Sequence, residues 1–321
     1  MVVHLGMLTP PPNRGPVLAE IRRRLIDRDQ SLADAIRERE LYFRVSVVGT
    51  CNLSCTFCHN EGAPTRGKIS LEFVDSALAA AVRTGFTRVQ LTGGEPLLRP
   101  DIGAFVRIAR RHVTDVGVTT NGTYLPQRLD DLVEAGLHRL HVSLQTEPLE
   151  EAGTKGEWGI PDWLMKAVER ATAGAFQVRF NLPVPADRLP LAERFLVLLT
   201  SRGVDVKVFS VLPEGVFRED DYPLAELEGI VDRVNARNAG EGCRDTGEVF
   251  IRGFRPPSGV RCNACPDWSR CKEQSHSLRL GADLMLRPCL ATRHWDSQLH
   301  FDADLDRMVT DAALLALDYR W

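Results

Sequence analysis

Short apolar runs alternate with amphipathic stretches along the first two thirds of the chain. Six runs rich in β-branched and aromatic residues predict strands at 42–48, 88–92, 115–119, 137–143, 176–182 and 204–211. Helical spacing of apolar residues predicts one helix after each strand, at 71–84, 102–111, 127–135, 162–173, 189–201 and 223–235. This alternation predicts an α/β fold with a parallel sheet. Six units rather than eight predict a partial (β/α)6 TIM-like barrel.

The two ends of the chain follow other patterns. Residues 1–16 are rich in Pro and Gly and predict a loose arm, and residues 17–40 predict one amphipathic helix. After residue 237, Gly, Pro, Cys and Arg become dense until a further helix at 305–317. We therefore expect an N-terminal arm and helix (1–40), a barrel (41–236) and a small C-terminal domain organised by metal (237–321).

Composition narrows the classes of partner. The net charge of −3 over 321 residues gives no basic field for nucleic acid or an anionic membrane. The first 16 residues lack an apolar run long enough for a signal peptide or a membrane span, so we expect a cytoplasmic protein. The 8 cysteines of such a chain then favour metal binding or catalysis over disulfides.

The first cysteine group follows the first predicted strand, in the kind of loop where barrel enzymes place their chemistry. Cys51, Cys55 and Cys58 could bind three irons of a 4Fe-4S cluster and leave the fourth iron open. The alternatives are zinc, which usually takes four ligands in a structural site, and three buried thiols.

This cysteine loop resembles that of the radical S-adenosylmethionine (SAM) superfamily, and further family motifs follow at later strand ends. Thr92-Gly93-Gly94-Glu95-Pro96 closes the second strand, and Thr119-Thr120-Asn121-Gly122 follows the third. Glycines at such a segment allow the backbone to approach closely. The resemblance implies a set of SAM contacts: Phe57, Gly93, Gly94, Glu95, Asn121, Ser143, Gln145, Asn181 and Leu212.

The resemblance also implies a mechanism. A reduced cluster donates an electron to SAM on the open iron, the carbon–sulfur bond breaks, and a 5'-deoxyadenosyl radical takes a hydrogen atom from the substrate. The electron would come from a reductant such as flavodoxin or ferredoxin. A competing class is an iron–sulfur electron carrier or regulator, which would not need Gly94, Glu95 and Ser143.

The second cysteine group resembles one half of a SPASM domain, also called a Twitch domain. The resemblance implies an auxiliary 4Fe-4S cluster that transfers electrons or holds its domain against the barrel mouth, with four ligands: Cys262, Cys265, Cys271 and Cys289. A structural zinc site is the alternative. Cys243 is left over, and could be a buried thiol, a replacement ligand or a hydrogen-atom donor to a substrate radical.

The chain further resembles the GTP cyclase of molybdenum-cofactor biosynthesis and antibiotic-pathway enzymes such as cytosylglucuronate decarboxylase. Arg44 and the segment 277–290 carry the first resemblance, whereas Gln90 stands where the cyclase has an arginine. We expect a small polar substrate (a sugar, aminoglycoside or nucleoside), decarboxylated or epimerised in natural-product biosynthesis. A peptide-modifying enzyme is the alternative, although the N-terminal extension is short for a peptide-recognition domain. Candidate substrate contacts are Arg44, Thr120, Arg179 and Arg279.

Overall fold

The computed structural model describes most of the barrel and parts of the C-terminal region. The described residues are 13–55, 58, 67–144, 162–173, 176–211, 223–240, 247–251, 277–289, 295–300 and 304–317.

The described strands and helices follow the predicted alternation closely. The strands are β1 Tyr42–Ser46, β2 Arg88–Thr92, β3 Asp115–Thr120, β4 Arg139–Ser143, β5 Gln177–Pro185, β6 Asp205–Val211, β7 Val249–Ile251, β8 Ser277–Leu280, β9 Met285–Arg287 and β10 Ser297–Gln298. The helices are α1 Arg14–Asp27, α2 Leu32–Glu38, α3 Leu71–Thr84, α4 Ile102–His112, α5 Leu125–Glu134, α6 Asp162–Ala173, α7 Leu189–Thr200, α8 Leu224–Gly240 and α9 Leu305–Leu317.

All ten described strands belong to one sheet, in the order β10-β9-β8-β1-β2-β3-β4-β5-β6-β7. Strands β1 to β7 are parallel, and β8 pairs in parallel with β1. Strands β9 and β10 add antiparallel pairs at that edge. The predicted α/β fold of six strand–helix units is confirmed, and β7 and β8 extend it on either side.

The two faces of the sheet differ in chemistry. Along each central strand every second residue is apolar and almost fully buried, for example Phe43, Val45, Val118, Leu140 and Phe180 at 0% exposure. These residues form the core with the apolar faces of the helices. The alternate positions are mainly polar and partly exposed, and we call the face that they form the barrel interior. It is the natural place for a substrate.

The N-terminal segment differs from its prediction. Residues 17–40 form two helices rather than one, and the first begins at Arg14, inside the predicted arm. The break falls at Asp29, whose φ of 49° is incompatible with a continuing helix. The Ser31 side chain then accepts a hydrogen bond from Asp34 N at 3.1 Å and starts α2.

Part of the region assigned to the C-terminal domain packs on the barrel. Strands β7 and β8 join its sheet, and Arg83 of α3 forms a bidentate ion pair with Asp306 of α9, the shorter N–O distance being 2.7 Å. The boundary at residue 237 stays a prediction, because much of 237–321 lies outside the described residues. Among the described helices, none has the length and hydropathy needed to cross a bilayer.

Candidate functional site

The first cysteine group lies at the carboxyl end of β1, as predicted. Cys51 and Cys55 are half-buried, Cys58 is exposed, and all three are free thiols. The Cys58 backbone N–H donates to Cys55 O at 3.1 Å, which closes a turn between these two cysteines. Leu53 N–H donates to Cys51 Sγ at 3.4 Å. Accessible thiols of one loop at a strand end suit the predicted cluster.

Arg99 joins the two ends of this loop. Its Nη1 donates to Val47 O at 3.0 Å, just before the loop, and to Ile69 O at 2.9 Å, just after it. A bidentate ion pair with Asp101 and the Phe105 ring, 4.3 Å from the guanidinium carbon, hold the side chain in place. Arg99 was not among the predicted site residues, although it follows Pro96 by three residues.

The Gly93-Gly94 segment packs directly against the cysteine loop. Gly94 N–H donates to Val48 O at 2.7 Å, and Glu95 N–H donates to Thr50 O at 2.9 Å. A Cβ on Gly93 would lie 2.4 Å from Val48 O, and one on Gly94 would lie 2.2 Å from Thr50 O. Both positions therefore require glycine because of the chain's own backbone, whether or not SAM is bound.

Glu95 is fully buried and organises the turn after β3. Its carboxylate accepts hydrogen bonds from Thr120 Oγ1 at 2.6 Å, Asn121 N at 2.7 Å and Leu97 N at 2.9 Å. Burial raises the pKa of this carboxyl group, although the three hydrogen bonds oppose the shift. A SAM contact by Glu95 stays a prediction, and the contacts within the protein already occupy both carboxylate oxygens.

Thr120, predicted to contact substrate, is 2% exposed. Its hydroxyl donates to Glu95 and accepts from Gly122 N at 3.0 Å. Gly122 has a φ of 80°, which the glycine permits at this turn. A substrate contact by Thr120 stays a prediction, and the side chain serves the turn rather than the barrel interior.

Asn121 links the β3 turn to the cysteine loop. Its Nδ2 donates to Asn52 Oδ1 at 3.0 Å and lies 3.8 Å from Cys51 Sγ, and its Oδ1 accepts from Thr123 N at 3.0 Å. Asn121 is half-buried, so this predicted SAM contact borders an accessible surface. Burial raises the pKa of the Cys51 thiol, and iron would have to displace its proton.

Two further predicted SAM contacts meet at the same edge of the sheet. Ser143 and Asn181 are direct partners in the register of β4 and β5, and both are half-buried at the barrel interior. Phe57, Gln145 and Leu212 lie outside the described residues. No three His, Cys, Asp or Glu side chains among the described residues converge on a point where a single ion could bind. A 4Fe-4S cluster instead takes each thiolate on a different iron.

The predicted arginines face the barrel interior. Arg44 is paired in register with Arg279 on β8 and Gln90 on β2, and its Nη2 donates to Thr92 Oγ1 at 3.3 Å. Arg179 on β5 lies 3.9 Å from Asp205 Oδ2, and its guanidinium carbon lies 5.0 Å from the Phe250 ring centroid. The three arginines thus line the interior below the cysteine loop.

His141 and Lys207 were overlooked in the sequence. Their signal was the alternation of polar and apolar residues along β4 and at the start of β6, which places both side chains on the interior face. The pKa of His141 is lowered to about 3, first by burial and then by the charges of Arg139, Arg179, Arg44 and Lys207.

Gln90, at the position of a cyclase arginine, is committed to the protein itself. It is 2% exposed, and its Nε2 donates to Thr119 Oγ1 at 2.9 Å. Its side chain crosses Gly117, where a Cβ would lie 2.3 Å from Gln90 Oε1. Gln90 therefore connects β2 to β3.

In the second cysteine group, the structure describes only Cys289, which is 6% exposed. It follows β9, which runs antiparallel to β8, with Arg287 paired to Arg279. Cys289 therefore lies toward the amino ends of the barrel strands, and Cys51 lies at the carboxyl ends. Both expected roles of an auxiliary cluster, electron transfer and holding its domain against the barrel mouth, stay predictions. Cys243, Cys262, Cys265 and Cys271 lie outside the described residues.

Comparison with known proteins supports this arrangement. A profile of the radical SAM superfamily matches residues 45–181. A probable GTP 3',8-cyclase of Methanopyrus kandleri is 31% identical over 249 residues, covering 73% of this chain and 79% of that protein. This chain belongs to the radical SAM superfamily.

Other relatives are similar over shorter spans. A GTP 3',8-cyclase of Agrobacterium fabrum is 30% identical over 230 residues, which are 67% of this chain but only 65% of that enzyme. Streptococcus suis SuiB bound to S-adenosylmethionine superposes with a TM-score of 0.65 at 15% identity, covering 90% of this chain and 70% of SuiB. At that identity, SuiB shares the radical SAM fold, and the substrate has to be argued from the site.

Proposed function

We propose that this protein is an enzyme that cleaves SAM reductively and abstracts hydrogen from a small anionic metabolite, a sugar or nucleoside that carries phosphate or carboxylate. The observation that carries the proposal is a group of cations on the interior face: Arg179 is the register partner of His141, Arg139 shares its strand, and Arg44 and Lys207 lie on the same face of β1 and β6. They face the interior of a barrel whose first strand leads to the three cysteines.

The residues at the carboxyl ends of the strands suit the cofactors. Cys51, Cys55 and Cys58 would hold the cluster, and Asn121 lies beside Cys51 to orient the loop. Cluster and SAM, when bound, supply one-electron cleavage of a carbon–sulfur bond and hydrogen-atom abstraction. The protein contributes position: Gly93 and Gly94 fix the loop, and the barrel encloses the reacting groups away from water.

The charges of the interior favour an anionic substrate. Guanidinium groups pair with carboxylate and phosphate through two parallel hydrogen bonds. An aminoglycoside is polycationic, and like charges would repel it from this interior, which argues against that substrate. A nucleotide fits the charge, and the relatives named GTP 3',8-cyclase point to the same class. Gln90, committed to Thr119, indicates that its contacts differ from those of the cyclase.

The test is substrate-dependent formation of 5'-deoxyadenosine. The protein is reconstituted without oxygen and given SAM, a strong reductant and a panel of candidates: sugar acids, sugar phosphates, nucleoside acids, GTP, aminoglycosides and short peptides. An anionic sugar or nucleoside should raise the yield well above the background without substrate, and the mass change of the product then names the reaction. A rise with peptides or aminoglycosides alone would refute the substrate class.

Cysteine variants separate the two proposed clusters. Cys51→Ser should abolish 5'-deoxyadenosine formation and remove about four irons per chain, the content of one 4Fe-4S cluster. We further propose an auxiliary 4Fe-4S cluster at Cys262, Cys265, Cys271 and Cys289, and Cys289→Ser should lower the iron content while SAM cleavage without substrate continues. Iron content that Cys289→Ser leaves unchanged, or one zinc per chain in the wild type, would refute this cluster.

A further inference from the structure

His141 has an unusual environment for a histidine. On β4 its register partners are Thr119 on β3 and Arg179 on β5. Both flanking residues on its own strand, Leu140 and Val142, are fully buried on the opposite face, so the imidazole faces the barrel interior. Within the described part of the chain, no hydrogen bond reaches either ring nitrogen, although the imidazole is largely removed from solvent.

Most of the groups near His141 on the interior face are polar or positively charged. Arg139 shares its strand, Thr119 lies beside it on β3, Arg179 on β5 and Lys207 on β6, and Arg44 approaches from β1. Among the described strand residues, two acids share this face and pair with cations of the group: Asp115 binds Arg88 and Arg139, and Asp205 Oδ2 lies 3.9 Å from Arg179 Nη2. The charges that act most strongly on the ring are nevertheless positive.

We propose that His141 is a specificity-determining residue that contacts the anionic group of the substrate and takes up a proton when that group binds. This inference rests on the proposed function and assigns to His141 a part in recognising the charge of the substrate. Burial and the repulsion by nearby cations together keep the ring uncharged, and an anion placed among Arg44, Arg179 and Lys207 would offset that repulsion. The proton passes from solvent to a ring nitrogen, which then donates a hydrogen bond to the anion.

Because proton uptake by His141 is linked to anion binding, the proposal predicts that anion affinity depends on pH. The pKa of His141 without a ligand is about 3, so the ring is neutral at any pH at which the enzyme would be assayed. Because the anion raises this pKa, anion binding strengthens as the pH falls. If bound anion restores an ordinary value of about 6.5, affinity should rise roughly fourfold between pH 8 and pH 6.

The experiment measures the affinity of the anaerobically reconstituted enzyme for inorganic pyrophosphate and for malonate by calorimetry at pH 8, 7 and 6. The two probes distinguish a phosphate from a carboxylate subsite. The same titrations are made on His141→Asn, which keeps a hydrogen-bonding side chain but cannot titrate. His300→Asn, at an exposed histidine, is the matched control. Protonation of the probe itself cancels in the ratio of wild-type to variant affinity.

The expected result is a ratio of wild-type to His141→Asn affinity that rises about fourfold from pH 8 to pH 6 for at least one probe. His300→Asn should follow the wild type. A ratio independent of pH for both probes, or no measurable binding of either, would overturn the proposal. A protein that forms 5'-deoxyadenosine but shows the flat ratio would refute this inference alone. Pyrophosphate binding with the rising ratio, but no SAM cleavage, would refute the proposed function alone.

Discussion

Replacement of Gly94 by alanine tests whether the Gly-Gly segment positions the cysteine loop through backbone contact. The new Cβ would lie 2.2 Å from Thr50 O and 2.7 Å from Cys51 N. The first distance is about 1.2 Å shorter than the 3.4 Å at which ordinary contact begins. Both atoms belong to the backbone, so no side chain can rotate away to relieve the overlap. The loop that carries Cys51 must therefore move.

The size of the effect follows from this displacement. A shift of about 1 Å at a reacting group can lower the rate about 100-fold. The shift also strains the bonds that Gly94 N and Glu95 N donate to the loop, each contributing about 1 kcal/mol to stability. We therefore expect the Gly94→Ala enzyme to cleave SAM about 100-fold more slowly. Its free energy of unfolding should be about 2 kcal/mol lower, because the two hydrogen bonds are lost.

The assay combines iron content, 5'-deoxyadenosine formation and urea unfolding, all without oxygen. Gly229→Ala is the matched control, because its Cβ would meet only Arg233 Nη1, at 3.5 Å, and it lies inside α8. That control should be more stable by about 1 kcal/mol, since alanine favours helix, and should keep its activity. A Gly94→Ala enzyme that cleaves SAM at the wild-type rate would refute the argument that this contact positions the loop.

Three further changes test the supporting structure. In Glu95→Gln, an amide N–H must face one of the three groups that donate to Glu95, so the free energy of unfolding in urea should fall by about 1–3 kcal/mol. The control Glu134→Gln, at an exposed residue, should leave that free energy unchanged. Arg287→Met removes the cation that pairs with both Asp283 and Asp296. The free energy of unfolding, measured by thermal unfolding, should fall by about 3–5 kcal/mol. Burial opposes ionisation of Asp115, but the hydrogen bonds from Arg139 and Arg88 outweigh it and hold its pKa below 3.8. Its contribution to stability is therefore present above pH 3.8 and is lost at lower pH, so Asp115→Asn should flatten the acid limb of urea unfolding measured from pH 3 to 6; an unchanged slope would contradict the assignment.

Most barrel elements could be predicted from the sequence to within a few residues, because they are encoded locally. Helix α3 has the predicted bounds, with Ser70 accepting a hydrogen bond from Phe73 N at 3.2 Å to start it and Gly85, at a φ of 116°, to end it. The break at Asp29 was missed because helical spacing runs through it. Ser31, a helix-capping residue type, was the available signal.

Long-range features could not be predicted in the same way. Residues 277–280 read Ser-Leu-Arg-Leu, an alternation that fits a strand, but nothing local indicates that the strand joins β1 across more than 230 residues. Glu95 illustrates the same limit at the site. Its motif predicted a cofactor contact, whereas its hydrogen bonds to Thr120 and Asn121 depend on how β2 and β3 pair.

The pairing of β8 and β9 has a consequence for how the barrel could work. Strand β9 turns back beside β8, so the chain reaches Cys289 toward the amino ends of the strands, while Cys51 lies at their carboxyl ends. Arg44, Arg279 and His141 lie at intermediate levels of the same interior. A substrate bound by these cations would therefore lie between the SAM-cleaving loop and any cluster that Cys289 helps to hold. An auxiliary cluster in that position would act from the far side of the substrate, and electron transfer fits such a placement better than support of the barrel mouth.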